Sequence, residues 1–217
     1  MTNNKNSIKI GSPKIPKKLA EVNNIKDLLE DEYKVSEAIV EDSSVEEVSL
    51  KDIVFDAVIF KNVVFENVDF RRIDITDVIF ENCDLSNNDF SGAVLHRVSF
   101  KNCKLVGSNL SEGTFRNVSF NDSNCQYISF SFSDLKEVIF DNCNLKGSEL
   151  GSCKFSKVYI EDCYLVEANL SQTKLKGIDL TSCDISKIIV GIEDLLGLIV
   201  TPMQALSLTS LLGIVIK

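Results

Sequence analysis

The most regular feature of the sequence is a large apolar side chain at every fifth residue. From Leu50 to Ile185 this position holds Leu, Phe or Ile at 27 of 28 successive repeats, with Cys125 as the exception. Two residues before each stands a smaller residue, usually Val, Ile, Ala, Ser or Cys, and the other three positions are mostly polar. A period of five fits neither an α-helix nor a continuous strand. It predicts short extended steps, each followed by a corner.

A second period of 20 residues lies over the five-residue one. Most residues that follow Phe60 at intervals of 20 are Phe, and the next quintet carries a column that is mostly Cys. Four quintets per coil, with residues 20 apart stacked, explain both periods, and seven coils at about 4.8 Å give a core of roughly 34 Å. The predicted core columns are Phe60, Phe80, Phe100, Phe120 and Phe140, and Cys83, Cys103, Cys143, Cys163 and Cys183.

Several quintets are close to a known consensus of a small residue, Asp or Asn, Leu or Phe, and two polar residues. Ser108-Asn-Leu-Ser111 and Ala168-Asn-Leu-Ser171 are examples. Over residues 45–187 the chain resembles the pentapeptide-repeat family. The resemblance implies an all-β fold, a right-handed quadrilateral β-solenoid (a pentapeptide-repeat β-helix), with a short C-terminal helix.

The repeat divides the chain into three parts. Residues 1–44 lack the full pattern and are predicted to form an N-terminal cap or extension, with a helix near Ile25 to Tyr33. Residues 45–187 form a solenoid of about seven coils, and residues 188–217 form a C-terminal helical cap and dimerisation segment. A solenoid needs such caps because its last coils are otherwise open.

The C-terminal segment carries clear helix signals. Thr201 and Pro202 suit the N-cap and the first helical position, Met203–Leu212 is predicted as the helix, and Gly213 suits its C-cap, before a terminal strand at Ile214–Ile216. The segment is more apolar than a short cap requires, which indicates an interface and favours an end-to-end two-fold dimer. The alternative is a cap folded onto the last coil. The predicted interface residues are Leu195, Leu198, Met203, Leu206, Leu208, Leu211, Leu212, Ile214 and Ile216.

A narrower resemblance covers part of the chain. Residues 198–216, Leu95–Phe100 and Leu175–Leu180 are similar to segments of quinolone-resistance (Qnr-type) pentapeptide proteins, most of all the chromosomal ones of Gram-positive bacteria. The resemblance implies a rod-shaped dimer that imitates duplex DNA and binds DNA gyrase or topoisomerase IV. It also implies that binding modulates these enzymes and gives fluoroquinolone tolerance. Some plasmid-borne relatives have loops that interrupt the coils, whereas the five-residue repeat of this sequence continues without interruption from Leu50 to Ile185.

Charge is unevenly distributed around the predicted square coil. The formal net charge is −9, which disfavours direct binding to nucleic acid and suits a basic partner. The face whose polar residues flank the column from Phe60 to Leu180 (the Phe60 face) carries net −4, the equivalent Leu50 face −2 and the Phe55 face +2. The alternative is that these charges only keep the protein soluble, since the surface of any soluble rod carries solvated charged residues. The predicted DNA-mimicking acidic residues are Asp69, Glu81, Asp89, Asp141, Glu161 and Asp162.

The residues favour a binding protein over an enzyme. The single histidine, His96, is predicted to lie at the surface, the glycines form no phosphate loop, and no pocket, catalytic group or cofactor is expected. The cysteines are expected to be buried hydrophobes rather than metal ligands. The start of the chain resembles no signal peptide and no stretch is long enough to span a membrane, so we expect a cytoplasmic protein. The alternative function is a structural or scaffolding solenoid that binds another protein.

Overall fold

The backbone forms a continuous ladder of parallel strands. The computed structural model describes residues 9–22 and 33–214. One sheet has the strand order β1-β2-β4-β6-β7-β8-β9-β10, and a second sheet pairs β3 with β5. The short strands are β1 (Ala20–Glu21), β3 (Ser44–Glu46) and β5 (Val64–Glu66). The strands of eight residues are β2 (Lys34–Glu41), β4 (Val54–Lys61), β6 (Asp74–Glu81), β7 (Val94–Lys101), β8 (Thr114–Asn121), β9 (Asp134–Asp141) and β10 (Lys154–Glu161).

From β2 to β10, paired residues of the long sheet are 20 positions apart, whereas those of β1 and β2 are 18 apart. Phe80, for example, lies beside Phe60 on one side and beside Phe100 on the other. Each coil repeats the same four sides, and the chain is a right-handed quadrilateral β-solenoid of about seven turns, as the resemblance to pentapeptide-repeat proteins implies. Side chains at the predicted inward positions therefore form columns along the axis, and the polar positions between them face solvent.

The ladder extends further in both directions than residues 45–187. At the N-terminal end β2 pairs with β4, so the solenoid includes residues 34–44, which the pattern assigned to the cap. Val35 and Val40 occupy inward positions that later coils fill with Phe or Leu, and this weakens the repeat signal there. At the C-terminal end a bridge joins Asp179 to Ile199. The last coil therefore includes residues assigned to the C-terminal cap.

The corners have a recurring left-handed backbone conformation. The residue two positions after each large apolar residue has a positive φ in nearly every quintet, for example 56° at Asn82 and 51° at Asn102. At many corners an amide closes a turn, such as Ile73 N donating to Phe70 O at 3.1 Å. Positive φ at the third residue of such a turn suits Gly and Asn because other side chains clash there. Many corners hold other residue types, and among these are the aromatic residues Tyr127 and Phe132, with φ of 57° and 63°.

The interior consists of stacked side chains. The five phenylalanines of the predicted column are buried, and their ring centroids are 4.8–5.0 Å apart from one coil to the next. All seven cysteines are free and buried. In the cysteine column the Cys83 thiol donates to the Phe60 carbonyl at 3.4 Å, and this contact recurs in later coils. Burial raises the pKa of the Cys153 thiol to about 11, so it stays protonated at neutral pH.

The N-terminal segment lies along the rod rather than across its end alone. The Gly11 amide donates to Asn117 Oδ1 at 2.7 Å, and the Lys14 amide donates to Asp77 Oδ1 at 2.8 Å. Asn117 and Asp77 are two coils apart, so this segment runs parallel to the solenoid axis over one edge of the Phe55 face. Strand β1 then pairs with the first coil through β2. The helix predicted near Ile25 to Tyr33 lies outside the described residues except for Tyr33.

Asp77 connects this segment to the solenoid. Its carboxylate accepts two hydrogen bonds from Arg97, from Nε and Nη2, each at 2.6 Å, as well as the one from Lys14. Burial tends to raise the pKa of Asp77, but these hydrogen bonds outweigh it and hold the pKa below its ordinary value. The carboxylate therefore remains ionised, and the contact persists, to a lower pH than for an ordinary aspartate.

Replacing Asp77 by alanine should release the N-terminal segment. Because the Lys14 amide then loses a charged acceptor, we expect tryptic cleavage after Lys17 and Lys18 to become about tenfold faster. The matched control is Asp52→Ala, which removes an ion pair with Arg72 at an exposed corner. Equal cleavage rates in the two variants would contradict this role of Asp77. In the unmodified protein, exchange of the Lys14 amide should accelerate when Asp77 becomes protonated.

The C-terminal helix is shorter than the sequence pattern predicts. Helix α1 spans Pro202–Leu208, and a 3₁₀ turn at Thr209–Leu212 follows it. Thr201 and Gln204 form a capping box, and the predicted C-cap at Gly213 has a φ of 69°. Ile214 is not in a strand, and Val215 to Lys217 lie outside the described residues. Within the described part of the chain, no helix is long and apolar enough to span a membrane.

Candidate protein-binding surface

On the Phe60 face, the residue directly after each large apolar residue forms a column along the rod. Near the N-terminal end of the solenoid this column alternates between Glu and Lys. Lys61 Nζ lies 3.3 Å from Glu41 Oε1, and Lys101 Nζ lies 3.1 Å from Glu81 Oε1. Each carboxylate is thus neutralised by a lysine one coil further along. Such exposed pairs contribute little to stability, but they cancel the field that a distant basic partner would meet.

In the part of the chain that the structure describes, the C-terminal half of this column has no such alternation of charge. Asp141 and Glu161 lie beside each other in neighbouring strands. Among the described residues, neither has a Lys or Arg nitrogen at ion-pair distance. Asp122 and Asp162 belong to the adjacent corner column. We call Asp122, Asp141, Glu161 and Asp162 the acidic strip.

Amide side chains support the strip from the neighbouring column. Asn102 Nδ2 donates to Asn82 Oδ1 at 2.8 Å, and Asn82 Nδ2 donates to Asn62 Oδ1 at 3.0 Å, which is the amide ladder expected of stacked coils. Further along, Asn142 Nδ2 donates to Asp122 Oδ1 at 2.7 Å. These bonds hold the polar side chains in line with the solenoid axis.

The six predicted acidic residues do not form one surface. Asp141, Glu161 and Asp162 lie together in the acidic strip, and Glu81 lies on the same face but is paired. Asp69 and Asp89 lie on the Leu50 face, which is opposite the Phe60 face in a square coil. Asp69 accepts a hydrogen bond from Arg71 Nε at 2.8 Å, and this interaction lowers the pKa of Asp69.

The carboxylate of Asp89 is bound by neighbouring polar groups. It accepts hydrogen bonds from the Ser91 amide at 2.9 Å and from Asn109 Nδ2 at 3.1 Å. Asp122 was not among the predicted residues, although its place 20 residues after Asn102 indicates it. Counting in steps of 20 also gives the Glu81–Lys101 pair from the sequence alone.

The predicted dimer interface divides into two sets. Leu195, Leu198, Leu208 and Leu211 are partly buried against the solenoid core. Met203, Leu206 and Ile214 are exposed, as are Ile192, Leu196 and Ile199. Nothing is described for the side chain of Leu212 or for Ile216. The segment is therefore a cap on the last coil that also presents apolar side chains to solvent.

Helix α1 is fixed to the last coil by Gln204. Its Nε2 donates to the carbonyl oxygens of Leu180 and Cys183, each at 2.8 Å. Beside the helix is an open surface cleft of about 690 Å³, bordered by Asp162, Tyr164 and Asp184.

The described residues contain no cluster of three or more His, Cys, Asp or Glu side chains arranged to hold a metal ion. His96 is a partly buried surface residue, with a ring nitrogen 2.8 Å from Arg97 Nη1. It is thus held in the corner region that the N-terminal segment crosses.

Family models match two parts of the solenoid. A pentapeptide repeat region model matches residues 73–150, and a pentapeptide repeats (8 copies) model matches residues 163–187. The chain is a pentapeptide-repeat protein. A comparison with curated proteins gives no significant match.

Among solved structures, several pentapeptide-repeat proteins are similar to this one. A trypsin-treated variant of QnrB1, a plasmid-mediated fluoroquinolone resistance protein, is 16% identical, with a TM-score of 0.49, over 85% of this chain and 100% of QnrB1. HetL, involved in heterocyst differentiation regulation in the cyanobacterium Nostoc sp., is 16% identical, with a TM-score of 0.26, over 77% of this chain and 92% of HetL.

Proposed function

We propose that this pentapeptide-repeat protein binds a type II topoisomerase, DNA gyrase or topoisomerase IV, through its acidic strip. In this proposal the strip occupies a basic surface that normally holds DNA, and binding modulates the enzyme and gives fluoroquinolone tolerance. The observation that carries the proposal is the run of carboxylates at Asp122, Asp141, Glu161 and Asp162, whose second and third members have no cationic neighbour among the described residues. The similarity of residues 198–216 to Qnr-type proteins supports it.

The spacing of the strip suits imitation of a polyanion. Its four carboxylates lie on three successive coils, which cover about 10 Å of axis at about 4.8 Å per coil. Duplex DNA carries about six charges over the same length. The strip therefore has a large part of the linear charge density of DNA, on a rigid rod whose side chains are already aligned. Preorganised charge of this kind mainly raises the association rate and the specificity for a basic partner.

We further propose a homodimer formed through the C-terminal end. Leu196 is 78% exposed and Met203 is 73% exposed, and both lie at the end of the rod beyond the acidic strip. Two copies joined there would bring their acidic strips towards the centre of a longer rod. Sedimentation equilibrium at micromolar concentration measures this directly, and a purely monomeric protein would rule the dimer out.

The test of the topoisomerase proposal is DNA supercoiling by purified gyrase from a Gram-positive bacterium. The protein is titrated into the reaction with and without ciprofloxacin. We expect either inhibition of supercoiling at low micromolar protein or recovery of supercoiling in the presence of the drug. Inhibition should weaken steeply with added salt because it depends on exposed charge. Unchanged supercoiling in both formats would reject the proposal.

A scaffolding role is the second candidate. It is favoured by the neutralised half of the Phe60 face, where Glu41 and Glu81 are paired with lysines and give no net field. Under this alternative, the regular coils present binding residues for another protein, and gyrase is unaffected.

A further inference from the structure

The Leu50 face carries two aromatic side chains that nothing in the fold requires. Tyr127 and Phe132 lie at the two corners that bound this face in the coil from Thr114 to Ser133. Their side chains are exposed, with 58% and 70% of the residue surface accessible. Other large apolar residues of the coil, such as Phe115 and Phe130, are fully buried in the core. Burial therefore does not explain either ring.

Both aromatic residues also have an unfavourable backbone conformation. Their φ values, 57° and 63°, fall in the left-handed region that recurs at nearly every corner, and the same two columns elsewhere hold small, amide or charged residues such as Asn87, Gly92 and Glu112. Aromatic side chains are rare in this conformation, so the backbone preference of the corner does not explain the two rings. The neighbouring coil makes room for one ring, because a Cβ at Gly147 would lie 2.7 Å from the Tyr127 ring.

Between the two rings the surface is flat and polar. Ser129 and Ser131 point outward, with their hydroxyl oxygens 3.4 Å apart. Above them, Glu149 pairs with Ser129 in the next coil. Glu112 lies in the preceding coil, 20 residues before Phe132 in the same corner column. Its amide donates a hydrogen bond to the Ser131 carbonyl at 2.9 Å. Two rings and two carboxylates thus surround a pair of serines.

The charge of this region identifies the chemistry of a partner. Glu112 and Glu149 form no ion pair among the described residues, although Glu149 accepts a hydrogen bond from Asn169 Nδ2 at 2.8 Å. From Asp89 to Gln172 the outward positions of the Leu50 face contain no Lys or Arg. The nearest lysines by register, Lys146 and Lys154, belong to the adjacent faces. Aromatic rings beside carboxylates attract cations, and a planar guanidinium can also stack on a ring.

We propose that Tyr127, Phe132, Glu112 and Glu149 form a binding site for arginine side chains of a partner protein. The partner lies across the flat Ser129–Ser131 surface, its guanidinium groups stack on the rings at the corners, and the carboxylates balance their charge. This site is on the opposite side of the rod from the acidic strip. It therefore does not depend on the topoisomerase proposal, and it allows the solenoid to bind two partners at once.

The test uses a synthetic hexa-arginine peptide as the probe, with hexa-lysine for comparison. Amide chemical shifts of the full chain are followed by NMR during titration. We expect hexa-arginine to shift the amides of residues 127–132, Glu112 and Glu149 and to bind there at least fivefold more tightly than hexa-lysine. Shifts confined to the acidic strip would overturn the proposal.

A double variant, Tyr127→Asn with Phe132→Asn, tests the rings directly. Asn tolerates the left-handed conformation, so the variant should fold and its thermal midpoint should rise by about 2–4 °C. Its affinity for hexa-arginine at residues 127–132 should fall at least fivefold. The matched control is Tyr164→Asn, because Tyr164 is also exposed and Asn144 precedes it in its column. Wild-type affinity in the double variant, or an equal loss in the control, would overturn the proposal.

Discussion

Replacing Phe100 by alanine should lower the free energy of unfolding by about 3–5 kcal/mol. Phe100 is buried at the middle of the rod, and its ring centroid is 4.9 Å from that of Phe80 and 4.8 Å from that of Phe120. Alanine would leave a cavity that the neighbouring rings cannot fill, since their own positions are fixed by strand pairing on both sides. Urea denaturation followed by circular dichroism measures the loss.

The structure supplies a conservative control in the same column. The stack ends in Ile160 and Leu180, so an aliphatic side chain is compatible with this position. Phe100→Leu should therefore cost less than about 1.5 kcal/mol. In a solenoid each coil contacts only its neighbours, so the alanine variant should also unfold less cooperatively, with a shallower dependence on urea. A loss below about 1 kcal/mol for Phe100→Ala would contradict the stacked core.

Reversing the charge of the acidic strip should abolish the effect on topoisomerase. In the variant Asp141→Lys with Glu161→Lys, two neighbouring carboxylates become ammonium groups that repel a basic DNA-binding surface. We expect the protein concentration for half-maximal inhibition of supercoiling to rise at least about tenfold. The fold should be retained because both side chains are at the surface and neither has a cationic partner within the described residues.

Glu46 and Glu66 provide a matched control. They form a second stacked pair of carboxylates, exposed and paired in register between β3 and β5, on a different face near the N-terminal end. The variant Glu46→Lys with Glu66→Lys changes the net charge by the same amount and should inhibit as the wild type does. If both variants lost inhibition equally, net charge alone would explain the effect. Full inhibition by the Asp141 and Glu161 variant would reject the strip as the binding surface.

Most of the fold can be predicted from the sequence, because residues 20 positions apart in the chain are stacked on one another in the structure. The burial of Phe100 and the pairing of Glu81 with Lys101 both follow from counting in steps of 20. The N-terminal segment does not follow, since Gly11 and Lys14 have no repeat register that would indicate their partners Asn117 and Asp77. Only the folded surface brings those groups together.

The candidate sites were less predictable than the core. The acidic residues could be assigned to faces, but the bond from Arg71 to Asp69 depends on side-chain conformations that a pattern does not specify. The left-handed conformation of the corners was also not predicted. The sequence alone therefore did not indicate that Tyr127 and Phe132 lie at corners with their side chains exposed. Their exposure became informative once both were located at the corners of one face.

The 20-residue register also constrains how such a gene can change length. Insertion or loss of 20 codons would lengthen or shorten the rod by one coil, about 4.8 Å, and leave every later residue on its original face. A change of five codons would preserve the core pattern but rotate everything after it by a quarter turn. The acidic strip would then face in a new direction relative to the N-terminal segment. Duplications of single quintets could therefore redirect a binding surface without disturbing the interior.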